Sequence, residues 1–181
     1  MVKKVHVYTH VYASPIGDLR LAVDRSGRVL SISLGDWPAW GPNVDIEENK
    51  YACGELEFQL DEYFRGTRQS FSVDLRLEGT PFQRTVWNRL LKVDYGTTIT
   101  YGEIARKIGK RDAARAVGNA VATNPIPVLV PCHRVVPASG KLGNYALRSI
   151  TDGSGAHTKR CLLELEGAIA QRTLTFSRRS A

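Results

Sequence analysis

The chain has 181 residues and a net charge of +7, and 43% of its residues are hydrophobic. This composition is that of a soluble globular protein with room for one large domain or two small ones. No apolar run approaches the roughly 18 residues that a membrane-spanning helix needs. The N-terminus is charged but has no hydrophobic region, which argues against a signal peptide. We therefore expect a cytoplasmic protein without a membrane partner.

The cysteines and the charge narrow the function classes further. Cys53, Cys132 and Cys161 form an odd set without C-x-x-C spacing, which argues against a disulfide framework or a four-cysteine zinc site. A single Cys53–Cys161 disulfide stays open. The basic charge attracts polyanions over long range, and nucleic acid is the first candidate. Charge alone is weak evidence, because many basic proteins bind no nucleic acid.

The first part of the chain has the pattern of a small α/β domain. Apolar and polar residues alternate over residues 5–34 in three runs joined by short turns, which predicts an antiparallel meander. Residues 35–43 follow as a loop. Residues 46–64 carry apolar side chains at helical spacing, and residues 71–77 alternate as a further strand. Residues 1–78 therefore form an α/β domain with an antiparallel sheet and a helix, to which we assign a scaffolding role.

Residues 79–181 form a second, mainly helical domain. Thr80, Pro81 and Gln83 have the pattern of a capped helix start. The apolar face of this helix consists of Val86, Leu90 and Leu91. A short extended link leads to the next helices, and a glycine-rich loop precedes a last helix near the C-terminus. The overall prediction is an α+β protein with two domains.

Two short helices in this domain have the pattern of a helix-turn-helix. They span residues 101–108 and 112–123, and Gly109-Lys110-Arg111 joins them. The second helix has almost only small side chains, so its backbone can approach a packing partner or a nucleic-acid backbone closely. Arg115 is its one long side chain. A lone arginine is ordinarily a surface charge, but its planar guanidinium can also fill a hole in a base stack.

Residues 124–137, which we call the Cys132 loop, carry the most informative pattern. Four prolines and two apolar runs surround Cys132, so the segment is neither a regular helix throughout nor a central strand. A rigid apolar loop suits a nucleophile in a pocket with little water. The adjacent His133 and Arg134 are cationic groups of the kind that lower the pKa of a thiol.

A base and an orienting carboxylate complete this hypothesis. A cysteine, a histidine and a carboxylate behind the histidine form the general pattern of an activated nucleophile, and Glu166 is the candidate carboxylate. Neighbouring side chains point in different directions, so a water is needed if His133 does not contact Cys132 directly. A buried, inert cysteine is the alternative, and it is the interpretation we give to Cys53 and Cys161. A metal site at Cys132 and His133 lacks further ligands at usable spacing.

Motifs in the second domain resemble one known family. They are Tyr101-Gly102-Glu103-Ile104-Ala105, Arg115-Ala116-Val117-Gly118, Asn124, Pro131-Cys132-His133-Arg134-Val135 and the run from Leu162 to Gly167. In this order they resemble the O6-alkylguanine-DNA alkyltransferases, also called methylated-DNA–protein-cysteine methyltransferases. The likeness spans residues 80–167, and the motif around Cys132 is highly specific. The first 78 residues fit the family in outline only.

The resemblance implies a DNA repair protein that acts once and needs no metal or organic cofactor. Its partner would be double-stranded DNA with an alkylated guanine, and O4-alkylthymine would be a second substrate. The protein would be a monomer, associated with the nucleoid or, in a eukaryote, nuclear. The expected DNA-binding residues are Arg115, Ala114, Ala116, Gly118, Lys110 and Gln83. The expected substrate pocket is lined by Tyr101, Val135, Tyr145 and Ala146.

The resemblance also implies a role for each catalytic residue. Cys132 would attack the alkyl carbon, and His133, oriented by Glu166, would take the thiol proton through a water. Tyr101 would supply a proton to the guanine that leaves, and Asn124 would hold the Cys132 loop.

Two departures and two alternatives accompany this interpretation. Leu147 and Arg148 stand where the family usually has glycines, and residues 149–156 resemble an insertion beside the alkyl pocket, so the preferred alkyl size stays open. One alternative is a protein that binds alkylated guanine without repairing it, although the presence of Cys132 argues against it. The other is a cysteine hydrolase, which does not account for the small-residue helix around Arg115.

Overall fold

The computed structural model describes residues 4–143, 145 and 154–170. It is an α+β structure with a four-stranded sheet in the first part of the chain and a helical second part. The hydrophobic core is continuous and takes side chains from both parts, among them Leu21 and Leu60 from the first and Trp87, Val117 and Leu162 from the second.

The sheet consists of β1 (Val5–Ser14), β2 (Gly17–Asp24), β3 (Val29–Ser33) and β4 (Val44–Glu48), in the order β3-β2-β1-β4. The first three strands form the predicted antiparallel meander. The sheet also contains a strand that was not predicted, β4, which pairs in parallel with β1 and makes the sheet mixed. Most β4 side chains are exposed, so this edge strand has little of the burial pattern that marks a strand in a sequence.

Two further boundaries differ from the sequence prediction. The first helix, α1 (Gly54–Phe64), begins eight residues later than expected, because the predicted start at residue 46 lies in β4. Residues 71–77 form no strand and make one isolated bridge, Val29 to Leu75. Their alternation reflects packing, since Phe71, Val73, Leu75 and Leu77 lie half-buried against the core.

The second part contains α2 (Pro81–Leu90), α3 (Tyr101–Lys107), α4 (Ala114–Ala122) and α5 (Gly155–Leu165). Thr80 and Gln83 form the predicted capping box, and Thr100 and Glu103 form another at the start of α3. The predicted apolar face of α2 is wrong in one position, because Leu91 is exposed and Trp87 is buried in its place. The Trp87 indole donates a hydrogen bond of 2.8 Å to the Ala120 carbonyl and so joins α2 to α4.

A two-stranded parallel ladder places the Cys132 loop beside α3. It consists of β5 (Ile99–Thr100) and β6 (Val135–Val136), with Ile99 opposite Val135. β5 leads directly into Tyr101, and β6 directly follows a 3₁₀ turn at Cys132–Arg134. The ladder therefore brings Tyr101 and Cys132, which are distant in the sequence, to the same side of the molecule.

No helix in the described ranges is long and apolar enough to cross a membrane. The same residues contain no group of three or more His, Cys, Asp and Glu side chains that could hold a metal ion. The three cysteines are free thiols, so the Cys53–Cys161 disulfide that the sequence left open is not formed.

Candidate active site

The Cys132 thiol is buried at the centre of the site and has two polar neighbours. Its side chain begins the 3₁₀ turn and is 1% exposed. The Asn124 amide nitrogen lies 2.9 Å from Sγ, and the Tyr145 hydroxyl lies 3.4 Å from it. His133 points elsewhere, and no direct hydrogen bond joins it to Cys132 among the described residues. The direct contact between His133 and Cys132 that the sequence left open is therefore not made.

Asn124 holds the loop as well as the thiol. Its Nδ2 also donates to the Val130 carbonyl at 2.8 Å, and its Oδ1 accepts from the Ile126 backbone N–H at 3.0 Å. These bonds fix the turn that contains Val128, whose φ of 75° is unusual for a β-branched residue. Asn124 thus stabilises a strained turn and directs an N–H group at the sulfur.

Glu166 is the centre of a buried network behind the thiol. Its Oε1 lies 2.7 Å from His133 Nε2, and Arg134 donates to both of its oxygens at 2.8 and 2.9 Å. The Tyr63 hydroxyl donates to Oε1 at 2.6 Å. The predicted contact between Glu166 and His133 is present, whereas the bonds from Arg134 and Tyr63 were not predicted.

The network fixes the tautomer of His133. An ionised carboxylate accepts hydrogen bonds and donates none, so the short contact to Glu166 requires the hydrogen on Nε2. In the neutral ring, Nδ1 then carries the free lone pair. This nitrogen is buried and has no hydrogen-bond partner among the described residues. His133 therefore offers an unused proton acceptor within the site.

Burial is the largest single influence on the pKa of each of these groups, and hydrogen bonds outweigh it only at Glu166. Burial lowers the pKa of His133, so its ring is neutral at pH 7. Burial acts to raise the pKa of Glu166, but hydrogen bonds from His133 and Arg134 outweigh it and hold that pKa well below its usual range. Burial raises the pKa of Cys132 despite the hydrogen bonds from Tyr145 and Asn124. Lys159 is the cation that acts to lower this pKa, whereas Arg134, which the sequence predicted in that role, pairs with Glu166 instead.

Two tyrosines lie close to the thiol. Burial and the nearby Cys132 raise the pKa of Tyr145 well above its ordinary value and also raise that of Tyr101. Both phenols therefore keep their hydrogen at neutral pH and can donate it. A Cβ on Gly155 would lie 2.6 Å from the Tyr145 carbonyl oxygen, so only glycine permits this approach of α5. Ala146, Leu147 and Arg148 lie outside the described residues.

Lys159 is a buried cation that the sequence prediction missed. Its side chain is 1% exposed, and Nζ donates to the Val135 carbonyl at 2.6 Å. Burial lowers the pKa of Lys159 to about 8, although Cys132 acts in the opposite direction. A lysine on an amphipathic helix ordinarily faces solvent, so its sequence position gave no signal of burial.

The predicted DNA-binding residues lie on and around α3 and α4. Arg115, Ala116 and Lys110 are exposed, whereas Ala114 and Gly118 are half-buried. A Cβ on Gly118 would lie 3.8 Å from the Tyr101 ring, which places Tyr101 against α4. Gln83 differs from the others, because its side chain bonds to the Thr80 N–H and the Thr123 hydroxyl and so joins α2 to the end of α4.

Family profiles and known proteins match this chain over most of its length. The family profile described as "6-O-methylguanine DNA methyltransferase, DNA binding domain" matches residues 81–168. The profile described as "6-O-methylguanine DNA methyltransferase, ribonuclease-like domain" matches residues 7–77. A methylated-DNA–protein-cysteine methyltransferase of Methanosarcina acetivorans is 44% identical and covers 90% of this chain and 99% of the relative. The constitutive Bacillus subtilis enzyme of the same name is 40% identical and covers 84% and 91%.

The chain is also similar to solved structures of such methyltransferases. The crystal structure of Mycobacterium tuberculosis OGT in complex with DNA is 41% identical with a TM-score of 0.76, and covers 90% of this chain and 93% of that one. The O6-methylguanine-DNA methyltransferase of Pyrococcus kodakaraensis is 26% identical with a TM-score of 0.57, and covers 89% and 99%.

Proposed function

The chain belongs to the 6-O-methylguanine DNA methyltransferase family, and we propose that it repairs DNA by moving an alkyl group from guanine O6 to Cys132. The enzyme class, methylated-DNA–protein-cysteine S-methyltransferase, follows from the names of relatives that are 40–52% identical. One observation supports Cys132 as the acceptor: counting contacts between described residues, it is the only cysteine whose sulfur contacts both a side-chain amide and a phenol, beside a neutral histidine paired with a buried carboxylate.

The thiol must lose its proton before it attacks. His133 Nδ1 is the acceptor that this site offers, and a water between it and Sγ would carry the proton. Glu166 stabilises the imidazolium that forms, because its Oε1 accepts the hydrogen on Nε2. The Asn124 amide and the Tyr145 hydroxyl donate to the thiolate. These donors matter because burial otherwise disfavours the charged sulfur.

The transfer itself is a single displacement. The sulfur lone pair forms the S–C bond as the bond between carbon and guanine O6 breaks, and the electron pair of that bond stays on the base. Tyr101, which lies against α4 beside the thiol, supplies the proton that the departing guanine needs. A thioether has no ready leaving route, so each protein molecule acts once. The chemistry requires no cofactor.

The helix-turn-helix of α3 and α4 would bind the damaged DNA through the minor groove. Arg115 is exposed on α4 between small residues and would occupy the place of the flipped nucleotide in the base stack. Extrusion costs a few kcal/mol and least for a weakly paired base, which favours damaged sites. Lys110 would contact phosphate. Val135 and Tyr145, with Ala146, would line the pocket for guanine and for O4-alkylthymine.

The protein would act as a monomer in the cytoplasm at the nucleoid, or in the nucleus of a eukaryote, with residues 1–78 as one domain and 79–181 as the other. The second candidate function is binding of alkylated guanine without repair. The buried thiol with two donors argues against this candidate, because a protein that only binds needs no activated sulfur.

Intact mass after incubation with a duplex containing one O6-methylguanine tests the proposal. We expect wild-type protein to gain one methyl group per molecule and no more with excess DNA, whereas Cys132→Ser gains none. Tight binding without a mass gain would instead support the second candidate, and continued turnover would support a hydrolase or another catalytic cycle.

A further inference from the structure

One residue of the first part of the chain reaches into the catalytic network. Tyr63 lies in the last turn of α1, and its hydroxyl donates to Glu166 Oε1 at 2.6 Å across 103 residues of sequence. The side chain is fully buried, and its ring packs against Phe71 and Tyr95 at centroid distances of 5.3 and 6.2 Å. The position of the hydroxyl is therefore fixed by the packing of the ring.

The carboxylate oxygen that Tyr63 contacts is the one that faces His133, the proposed proton acceptor. Glu166 Oε1 accepts from Tyr63, from His133 Nε2 and from Arg134 Nη2, while Oε2 accepts from Arg134 Nε. A hydrogen bond to a charged group in a low-dielectric interior is strong and directional. Three donors on one oxygen fix its lone pairs, so the carboxylate cannot rotate away from the imidazole.

The same donors also divide the negative charge of the carboxylate. Each hydrogen bond draws charge from Oε1 and weakens the attraction that this oxygen exerts on an imidazolium at His133. Within the described part of the chain, the titratable and charged groups around the His133–Glu166 pair are Tyr63, Tyr95, Arg134, Lys159 and Tyr145. Tyr63 is the only one of these phenols that donates directly to the carboxylate among the described residues.

We propose that Tyr63 is a positioning residue of the alkyl transfer, which orients Glu166 against His133 and limits the negative charge that Oε1 presents to the ring. This inference rests on the proposed function and deepens it. The first domain then contributes to the chemistry through one hydroxyl, in addition to the scaffolding role predicted from the sequence. A second contact from the same domain, Ile32 N–H to the Pro125 carbonyl at 2.9 Å, supports the start of the Cys132 loop.

Tyr63→Phe and Tyr95→Phe form a matched pair for the test. Each removes one hydroxyl from the same aromatic cluster and keeps the ring. The Tyr95 hydroxyl donates to the Leu165 backbone carbonyl at 3.2 Å rather than to the carboxylate. Single-turnover rates of methyl transfer are measured from pH 5 to pH 9, and the His133 ring is titrated by NMR without DNA, with His133→Asn to assign its signal.

In Tyr63→Phe, Oε1 carries more negative charge and His133 protonates at higher pH than in the wild type. At a fixed pH on the acid limb of the profile, the rate falls by roughly tenfold, in line with the loss of one charge-assisted hydrogen bond. Tyr95→Phe follows the wild-type curve. In the NMR titration, the His133 midpoint moves upward in Tyr63→Phe only.

Other outcomes would overturn the inference. They are superimposable profiles for Tyr63→Phe and wild type, a uniform loss of rate without a shifted limb, or equal shifts in both variants. The NMR titration separates this inference from the proposed function, because it requires no alkyl transfer. A shifted His133 midpoint in Tyr63→Phe with no methyl transfer by the wild type would support the contact but refute the repair function and, with it, the positioning role.

Discussion

Replacing Glu166 with glutamine tests the role of the buried network in stability. The change preserves shape but removes the charge that pairs with Arg134 and with the donor of His133. The Glu166 and Arg134 side chains are 0% and 8% exposed, so Arg134 would be left as a buried cation without its partner. Removal of one member of a buried pair costs about 3–5 kcal/mol. We expect a loss of this size at pH 7, a large share of the stability of a typical domain.

The pH dependence of this loss has a definite sign. The pKa of Glu166 is lower in the folded state than its ordinary value of 4.5, so its contribution is fully present above that pH. The contribution is lost as pH falls below 4.5 towards the folded pKa. The difference in unfolding free energy between wild type and Glu166→Gln should therefore be constant from pH 7 to about pH 5 and shrink below it.

Urea unfolding followed by tryptophan fluorescence measures both effects. Glu164→Gln is the control on the same chain segment, because Glu164 pairs only loosely with Arg160 at 3.9 Å on a partly exposed surface. Such pairs contribute about 0–1 kcal/mol. A loss below about 1 kcal/mol in Glu166→Gln, or a loss equal to that of the control, would refute the assigned role of the network.

Three further predictions concern the loop, the buried lysine and the DNA surface. Asn124→Ala should lower the unfolding free energy by about 2–3 kcal/mol in urea, because it leaves buried backbone groups unpaired; a loss below 1 kcal/mol would contradict this. As pH rises from 8 to 10.5, the unfolding free energy of the wild type should increase by up to about 3 kcal/mol relative to that of Lys159→Met, because the folded pKa of Lys159 is lowered to about 8. Parallel curves of unfolding free energy against pH would contradict this. The double variant Lys110→Ala, Arg111→Ala should have a slope of log K for DNA binding against log salt concentration that is shallower by roughly 2. An unchanged slope would exclude phosphate contacts at these two residues.

Local signals in the sequence were sufficient for much of the helical part. Thr80 with Gln83 marked the start of α2, because a capping box involves residues only three positions apart. The three antiparallel strands followed from alternation and from turn residues between them. The prolines around Cys132 indicated an irregular loop, and the structure has a short 3₁₀ turn there.

Contacts between distant residues were beyond the reach of such signals. The bond from Tyr63 to Glu166 joins positions 103 residues apart, and nothing in the local pattern of α1 distinguishes Tyr63 from an ordinary core tyrosine. Strand β4 pairs through its backbone with β1, so its exposed side chains left no burial pattern to detect. The role of Arg134 beside Cys132 was misjudged for the same reason, since adjacency in sequence did not show that Arg134 turns towards Glu166.

Peptide mapping of the methylated protein tests the central claim most directly. The chain offers three free thiols, of which Cys53 and Cys132 are buried and Cys161 is partly exposed. After reaction with a duplex that carries isotope-labelled O6-methylguanine, the label should be found on the peptide containing Cys132 and on no other, at one label per molecule. Label on Cys53 or Cys161, or on no cysteine while the DNA loses its methyl group, would contradict direct transfer to Cys132.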